Sequence, residues 1–146
     1  MDASLATVTM KGMLQQCGLV DLRKFADPRG NLTPVESFID VGFQIARIYF
    51  LYDVPGGSSR GGHAHRRLQQ LIIAVSGSFD VTLDDGTSRK TFSLNRPYFG
   101  LRVCPMTWRE IDNFSSASVC IVIASENYDE TDYIRNYEEF RIASVT

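Results

Sequence analysis

Short apolar runs, broken by turn residues at nearly regular intervals, constrain this chain more than any other feature. Residues 45–54 (IARIYFLYDV) are rich in aromatic and β-branched side chains and end at Pro55-Gly56-Gly57, a strand followed by a turn. Residues 71–75 (LIIAV) and 79–83 (FDVTL) flank Ser76-Gly77-Ser78, the pattern of a tight hairpin. Asp84-Asp85-Gly86 supplies the next turn, because these residues accept the positive φ of hairpin loops. Residues 91–94, 99–103, 107–111 and 119–124 continue the series, and Asp27-Pro28-Arg29-Gly30-Asn31 is a turn between two early strands. Short strands at a spacing of roughly 8 to 12 residues predict a β-sandwich or barrel.

Only the C-terminal segment carries a helical period. Asp129-Glu130-Thr131-Asp132 is placed to cap a helix through Tyr133, Ile134, Tyr137 and Phe140, whose i, i+1, i+4, i+7 spacing forms one apolar stripe. Such a helix is expected to pack over one end of the β-structure. The first dozen residues show no firm period and read as an arm or an extra strand. With no repeat, linker or low-complexity tract, residues 1–146 read as one domain.

Composition excludes several classes. At 146 residues and 44% hydrophobic, the chain can bury a core without disulfides or metal staples. A net charge of −2 gives no pull toward nucleic acid or an anionic membrane surface. No apolar run approaches the roughly 20 residues of a membrane span. The N-terminus lacks the basic and apolar regions of a signal peptide. Cys17, Cys104 and Cys120 are widely spaced with no CxxC, which argues against a disulfide framework or zinc knuckle and for the cytoplasm.

Against this plain background stands Arg60-Gly61-Gly62-His63-Ala64-His65, which holds both histidines of the chain. Two imidazoles one residue apart share a strand face, because strand side chains alternate with period two. Such a pair serves a metal site or acid–base chemistry near neutral pH. The spacing from Gly57 through His63 and His65 to Gln69-Gln70 and Gly77 follows the first motif of the cupin superfamily. The spacing Gly100, Pro105, Trp108-Arg109-Glu110 follows the second. Metal-binding cupins place a glutamate and a third histidine where this chain has glutamine and arginine. A divalent transition metal wants three or more N, O or S ligands, and arginine is not one of them. Glu110 is the one carboxylate in reach, and the fixed cation of Arg109 beside it disfavours a metal ion. The residues therefore lean toward acid–base chemistry without metal or cofactor. Two packed core histidines are the bland alternative, and an odd one beside Arg60 and two glycines.

Beyond the superfamily pattern, RIYFLYDVPGGSSRGGHAHRRLQQ, GSFDVTLDDG, PMTWREI and ASENYDETDYIRNYEEF resemble the dTDP-sugar 3,4-ketoisomerases over roughly residues 20 to 141. That resemblance implies an all-β cupin, a double-stranded β-helix or jelly roll, with a short C-terminal helix. It implies a metal-free cytoplasmic homodimer that exchanges N-terminal strands, with residues 1–15 as the exchanged arm. The implied reaction moves the keto group of dTDP-4-keto-6-deoxyglucose from C4 to C3. The product then feeds a PLP-dependent C3 aminotransferase on the way to 3-amino-3,6-dideoxyhexoses. His63 is then the base at C3, with His65 as second acid–base group or electrostatic partner and Tyr49 as proton shuttle or donor to the enediolate. Arg60 and then Arg47 are the expected diphosphate ligands, with Arg109, Gln70 and Tyr133 as further substrate contacts. Tyr133 or Trp108 offers a slot for thymine, Trp108 fitting core or site wall better. Members of the group differ at the position of Arg109 and near the Asp27-Pro28-Arg29-Gly30 turn, and the pair Arg29 and Arg109 leaves the choice between galacto and gluco product open. A dTDP-4-keto sugar 3,5-epimerase, a metal-dependent cupin and a non-catalytic sugar-nucleotide-binding cupin are the competing readings.

Overall fold

A computed structural model of the chain describes residues 17–145. Eleven of its twelve strands precede residue 125, as the turn spacing requires. In order these are β1 (Gly18–Asp21), β2 (Phe25–Asp27), β3 (Gly30–Leu32), β4 (Arg47–Tyr52), β5 (Arg60–His65) and β6 (Gln70–Ser76). Then come β7 (Phe79–Asp84), β8 (Arg89–Leu94), β9 (Phe99–Val103), β10 (Trp108–Asp112) and β11 (Val119–Ala124). A single turn of 3₁₀ helix (Glu130–Asp132), the short strand β12 (Tyr133–Ile134) and helix α1 (Tyr137–Ser144) finish the chain.

Two antiparallel five-stranded sheets face each other, ordered β1-β9-β6-β11-β4 and β12-β5-β10-β7-β8, with β2–β3 as a separate hairpin. This is the jelly-roll arrangement, and the sheets stay distinct rather than closing into a barrel. Alternation fixes which faces meet. Phe79, Val81 and Leu83 of β7 are each at most 1% exposed and pack on Ile72, Leu101, Val103 and Val122 of the other sheet. On β4 the inward residues are Arg47, Tyr49 and Leu51, while Ile48, Phe50 and Tyr52 point outward. A smaller cluster of Ala64, Trp108, Ile134 and Phe140 lies under α1, so Trp108 is a core residue.

Two expectations need correction. Residues 71–75 and 79–83 form strands but no hairpin, since β6 and β7 belong to different sheets. The turn at Gly77 (φ 66°) carries the chain across the sandwich and presses on the loop holding Ser115 and Ser118. A local Ser-Gly-Ser signal marks a turn but does not say which neighbours its strands will find. The C-terminal helix also starts later than the apolar stripe indicates. Asp129 does cap, accepting the Thr131 N–H, but it caps only the 3₁₀ turn. Tyr133 and Ile134 pair with His65 and Ala64 as a strand, and Asn136 caps α1 by accepting the Glu139 N–H. Strand pairing with β5 satisfies backbone groups there that a helix would have satisfied internally. The expected arm over residues 1–15 lies outside the described residues.

The cysteines hold a surprise. Pairing of β1 with β9 brings the sulfurs of Cys17 and Cys104 together, with their Cα atoms 5.5 Å apart across 87 residues of sequence. Wide spacing gave no sign of this contact. Cys120 is free and buried. Among the described residues no helix is long and apolar enough to cross a membrane.

Candidate active site

The site is assembled by strand register. Arg109 on β10 stands directly across from His63 on β5, and Tyr133 on β12 stands across from His65. Between His63 and Gly61 the register slips by one residue, so that Gly62 is an extra residue in β5. Both glycines have positive φ (89° and 73°), and a Cβ on Gly61 would sit 3.0 Å from the Arg109 carbonyl oxygen. The Gly-Gly pair thus makes a β-bulge that aims His63 inward, a device common beside active sites.

A cleft of about 360 Å³ opens between the sheets at this point. Arg47, Tyr49 and Gln70 line it from one sheet, and Arg60, His63, Arg109 and Tyr133 line it from the other. Every expected site residue except His65 therefore reaches one cavity. His65 is fully buried behind it, its ring 4.8 Å from that of His63 and 4.2 Å from that of Tyr133. Its Nδ1 lies 3.4 Å from the Asp132 carboxylate, within ion-pair reach but off hydrogen-bond geometry. Asp132 is itself buried and accepts the backbone N–H groups of Arg67 and Leu68.

Arg109 is the most unusual group. The residue is 2% exposed, and among the described residues its guanidinium has no carboxylate at ion-pair distance. It donates to the Gln70 side-chain oxygen and, at 2.9 Å, to the Thr107 carbonyl. Burial lowers its pKa to about 10, so it stays charged at neutral pH. Gln70 in turn donates its amide N–H to the Tyr49 hydroxyl at 3.1 Å. Burial raises the Tyr49 pKa, with the Arg109 charge and the Gln70 hydrogen bond opposing.

Both imidazoles are held neutral. Burial and then the Arg109 charge lower His63 to about 3, and the same two causes lower His65 to about 2. Several polar atoms are left over. Among the described residues, Arg47 Nε and Nη2, His63 Nε2, both His65 nitrogens and Arg109 Nε are buried with no hydrogen-bond partner. Buried polar groups are nearly always paired, so such a cluster around one cleft marks where a polar ligand belongs.

Reading the sequence by residue type missed Arg135. It lines the cleft, lies 4.2 Å above the Tyr133 ring, and pairs with Glu130 at 2.7 Å. Its signal was the YDETDYIRNYEEF segment, assigned to a helix when Tyr133 and Ile134 in fact pair with β5 and Arg135 follows them directly. Other arginines fall elsewhere. Arg67 pairs with Asp129 at 3.1 Å on the surface, and Arg29 pairs with Asp27 at 2.7 Å at the exposed tip of the β2–β3 hairpin. Glu110 turns from the histidines toward Arg89, at 3.4 Å. Among the described residues no three His, Cys, Asp or Glu side chains gather as a metal shell would require.

Fold and site together define a jelly-roll enzyme whose cleft combines a paired-histidine strand, a buried arginine and a phenol. The family described as "FdtA: WxcM-like, C-terminal" matches residues 15–144, and the chain belongs to it. The chain is 42% identical over 123 residues to the TDP-4-oxo-6-deoxy-alpha-D-glucose-3,4-oxoisomerase of Aneurinibacillus thermoaerophilus, covering 84% of this chain and 88% of that one. It superposes on the sugar 3,4-ketoisomerase QdtA of Thermoanaerobacterium thermosaccharolyticum, solved with TDP, at a TM-score of 0.88 and 40% identity, covering 91% and 97% of the two chains. A histidine-to-asparagine variant of QdtA, solved with TDP-4-keto-6-deoxyglucose, matches at 0.87 and 39% identity, covering 90% and 96%. The protein is a 3,4-ketoisomerase, an intramolecular oxidoreductase.

Proposed function

We propose that the substrate is dTDP-4-keto-6-deoxyglucose and that the cleft moves its keto group from C4 to C3 by proton transfer alone. The observation that carries this reading is the convergence of unpartnered, buried donors and a neutral imidazole on one cavity. His63 takes the C3 proton, and the electron pair forms the C3–C4 double bond and pushes charge onto the C4 oxygen. Arg109, charged and dry, stabilises that oxyanion, as a preorganised cation in a water-poor site does. Tyr49 hands its proton to the C4 oxygen and recovers one from the C3 hydroxyl. Return of the first proton to C4 leaves the ketone at C3, so C3 is oxidised, C4 is reduced, and no other reactant is consumed.

His65 holds and tunes His63 from behind rather than touching sugar, because it is sealed from the cleft. Arg60, Arg47 and Arg135 form the cationic rim that suits a diphosphate, arginine being matched to phosphate by its planar fork. Tyr133 is a wall of the site. Arg135 covers one face of its ring and the imidazoles crowd it, which leaves thymine to another surface.

The chain acts as a homodimer in this reading. Ile48, Phe50 and Tyr52 are 56–61% exposed on the outer face of edge strand β4, and the apolar groove over Ile73, Val75 and Ile121 continues that face. An apolar stripe of that extent on a sheet invites a second copy. The working compartment is the cytoplasm, and residues 1–146 act as one domain.

Incubation with dTDP-4-keto-6-deoxyglucose, a C3 aminotransferase and an amine donor tests the function. The 3-amino-3,6-dideoxy sugar nucleotide is expected. Its absence, with substrate verified and the aminotransferase active, would refute the isomerase reading.

A further inference from the structure

We propose that Gln70 is a positioning residue that commits the Tyr49 hydroxyl to donating its proton into the cleft. The inference rests on the reading of Tyr49 given above and explains how the protein sets its polarity. Gln70 is 1% exposed, and its amide lies between Arg109 and Tyr49. Arginine carries only donors, so the amide atom that meets Arg109 must be the oxygen. The amide nitrogen therefore faces Tyr49, and the orientation follows from chemistry rather than from a choice between two similar atoms.

A phenol has one proton and accepts through its oxygen. At Tyr49 the Gln70 N–H occupies the acceptor side at 3.1 Å. The Tyr49 proton cannot point along the same line, and among the described residues no protein acceptor takes it. It is left to the cavity, where the sugar oxygens would sit. Arg109 is pinned at its other end by donating to the Thr107 carbonyl, and from Arg109 through Gln70 to Tyr49 every donation runs the same way. Gln70 reads from sequence as a substrate contact. Its buried amide instead spends its oxygen and one N–H on protein groups.

Gln70→Glu reverses the polarity with almost no change in shape. The carboxylate still meets Arg109, now as an ion pair, but it has no N–H for Tyr49. The phenol then donates to the carboxylate and its proton leaves the cleft. Turnover should fall about 10²-fold, the scale of a lost oxyanion donor, while the Kd for TDP stays unchanged. In a Tyr49→Phe background the same substitution should cost nothing further. An equal loss in both backgrounds, or full activity of Gln70→Glu, would overturn the proposal.

A second measurement needs no turnover, and so separates this proposal from the assigned reaction. Ultraviolet difference titration, taken against Tyr49→Phe, isolates the Tyr49 phenol. Gln70→Glu should raise its pKa, because a phenolate gains from an N–H donor and loses beside a carboxylate. An unmoved phenol titration would also overturn the proposal, whatever the substrate proves to be.

Discussion

At the scale of single residues, the central fact is that a base must be neutral before it can accept a proton. Burial and the Arg109 guanidinium keep His63 neutral, lowering its pKa to about 3. A base that weak is far from the ideal for its task, which lies near the working pH. The diphosphate supplies the remedy. In the proposed binding mode it brings negative charge to the Arg135 side of the cleft, and Arg135 is among the charges that hold His63 down. Binding should therefore raise the His63 pKa. Imidazole NMR titrations with and without TDP would read an upward shift, and an unchanged or lower value would contradict the electrostatic account.

At the scale of elements, the legible and illegible parts of the chain separate cleanly. Period-two alternation and turn residues located β6, β7, β9, β10 and β11 to within a residue at either end, and β4 and β8 to within two, because those signals are local. The pairing of His63 and His65 on one strand face was equally legible. The bulge at Gly62 was not, since it depends on β10 lying alongside. The β6–β7 crossing escaped for the same reason: which sheet a strand joins is settled by partners far along the chain. Arg135 and Asp132 were hidden by a helical stripe that tertiary pairing overrode. The crossing also yields a prediction. At Gly77 a Cβ would come within 2.8 Å of the Ser118 Cα, in a left-handed conformation that costs alanine about 1–2 kcal/mol by itself. Gly77→Ala should lower the thermal midpoint markedly and leave the turnover of folded protein unchanged. A midpoint within a degree or so of wild type would show that the turn is not under that constraint.

At the scale of the whole molecule, the site makes stability depend on pH. Both histidines have folded pKa values far below the 6.5 they start from, at about 3 and about 2. As pH falls below 6.5, the unfolded chain gains protons that the folded chain refuses, and stability declines with acid. Between about pH 7 and pH 5 the ordinary carboxylates are not titrating, so the decline there belongs to the histidines. Calorimetry should show the midpoint falling through that interval in wild type and falling less in His63→Asn. A flat wild-type curve would contradict the burial of neutral imidazoles. The account as a whole stands on His63 taking the C3 proton, and proton NMR of dTDP-4-keto-6-deoxyglucose in deuterium oxide follows that proton directly. Wild type should remove the C3 proton and build the 3-keto sugar, and His63→Asn should do so roughly 10²- to 10⁴-fold more slowly with TDP binding retained. Loss of the C3 proton at the wild-type rate in His63→Asn would contradict it.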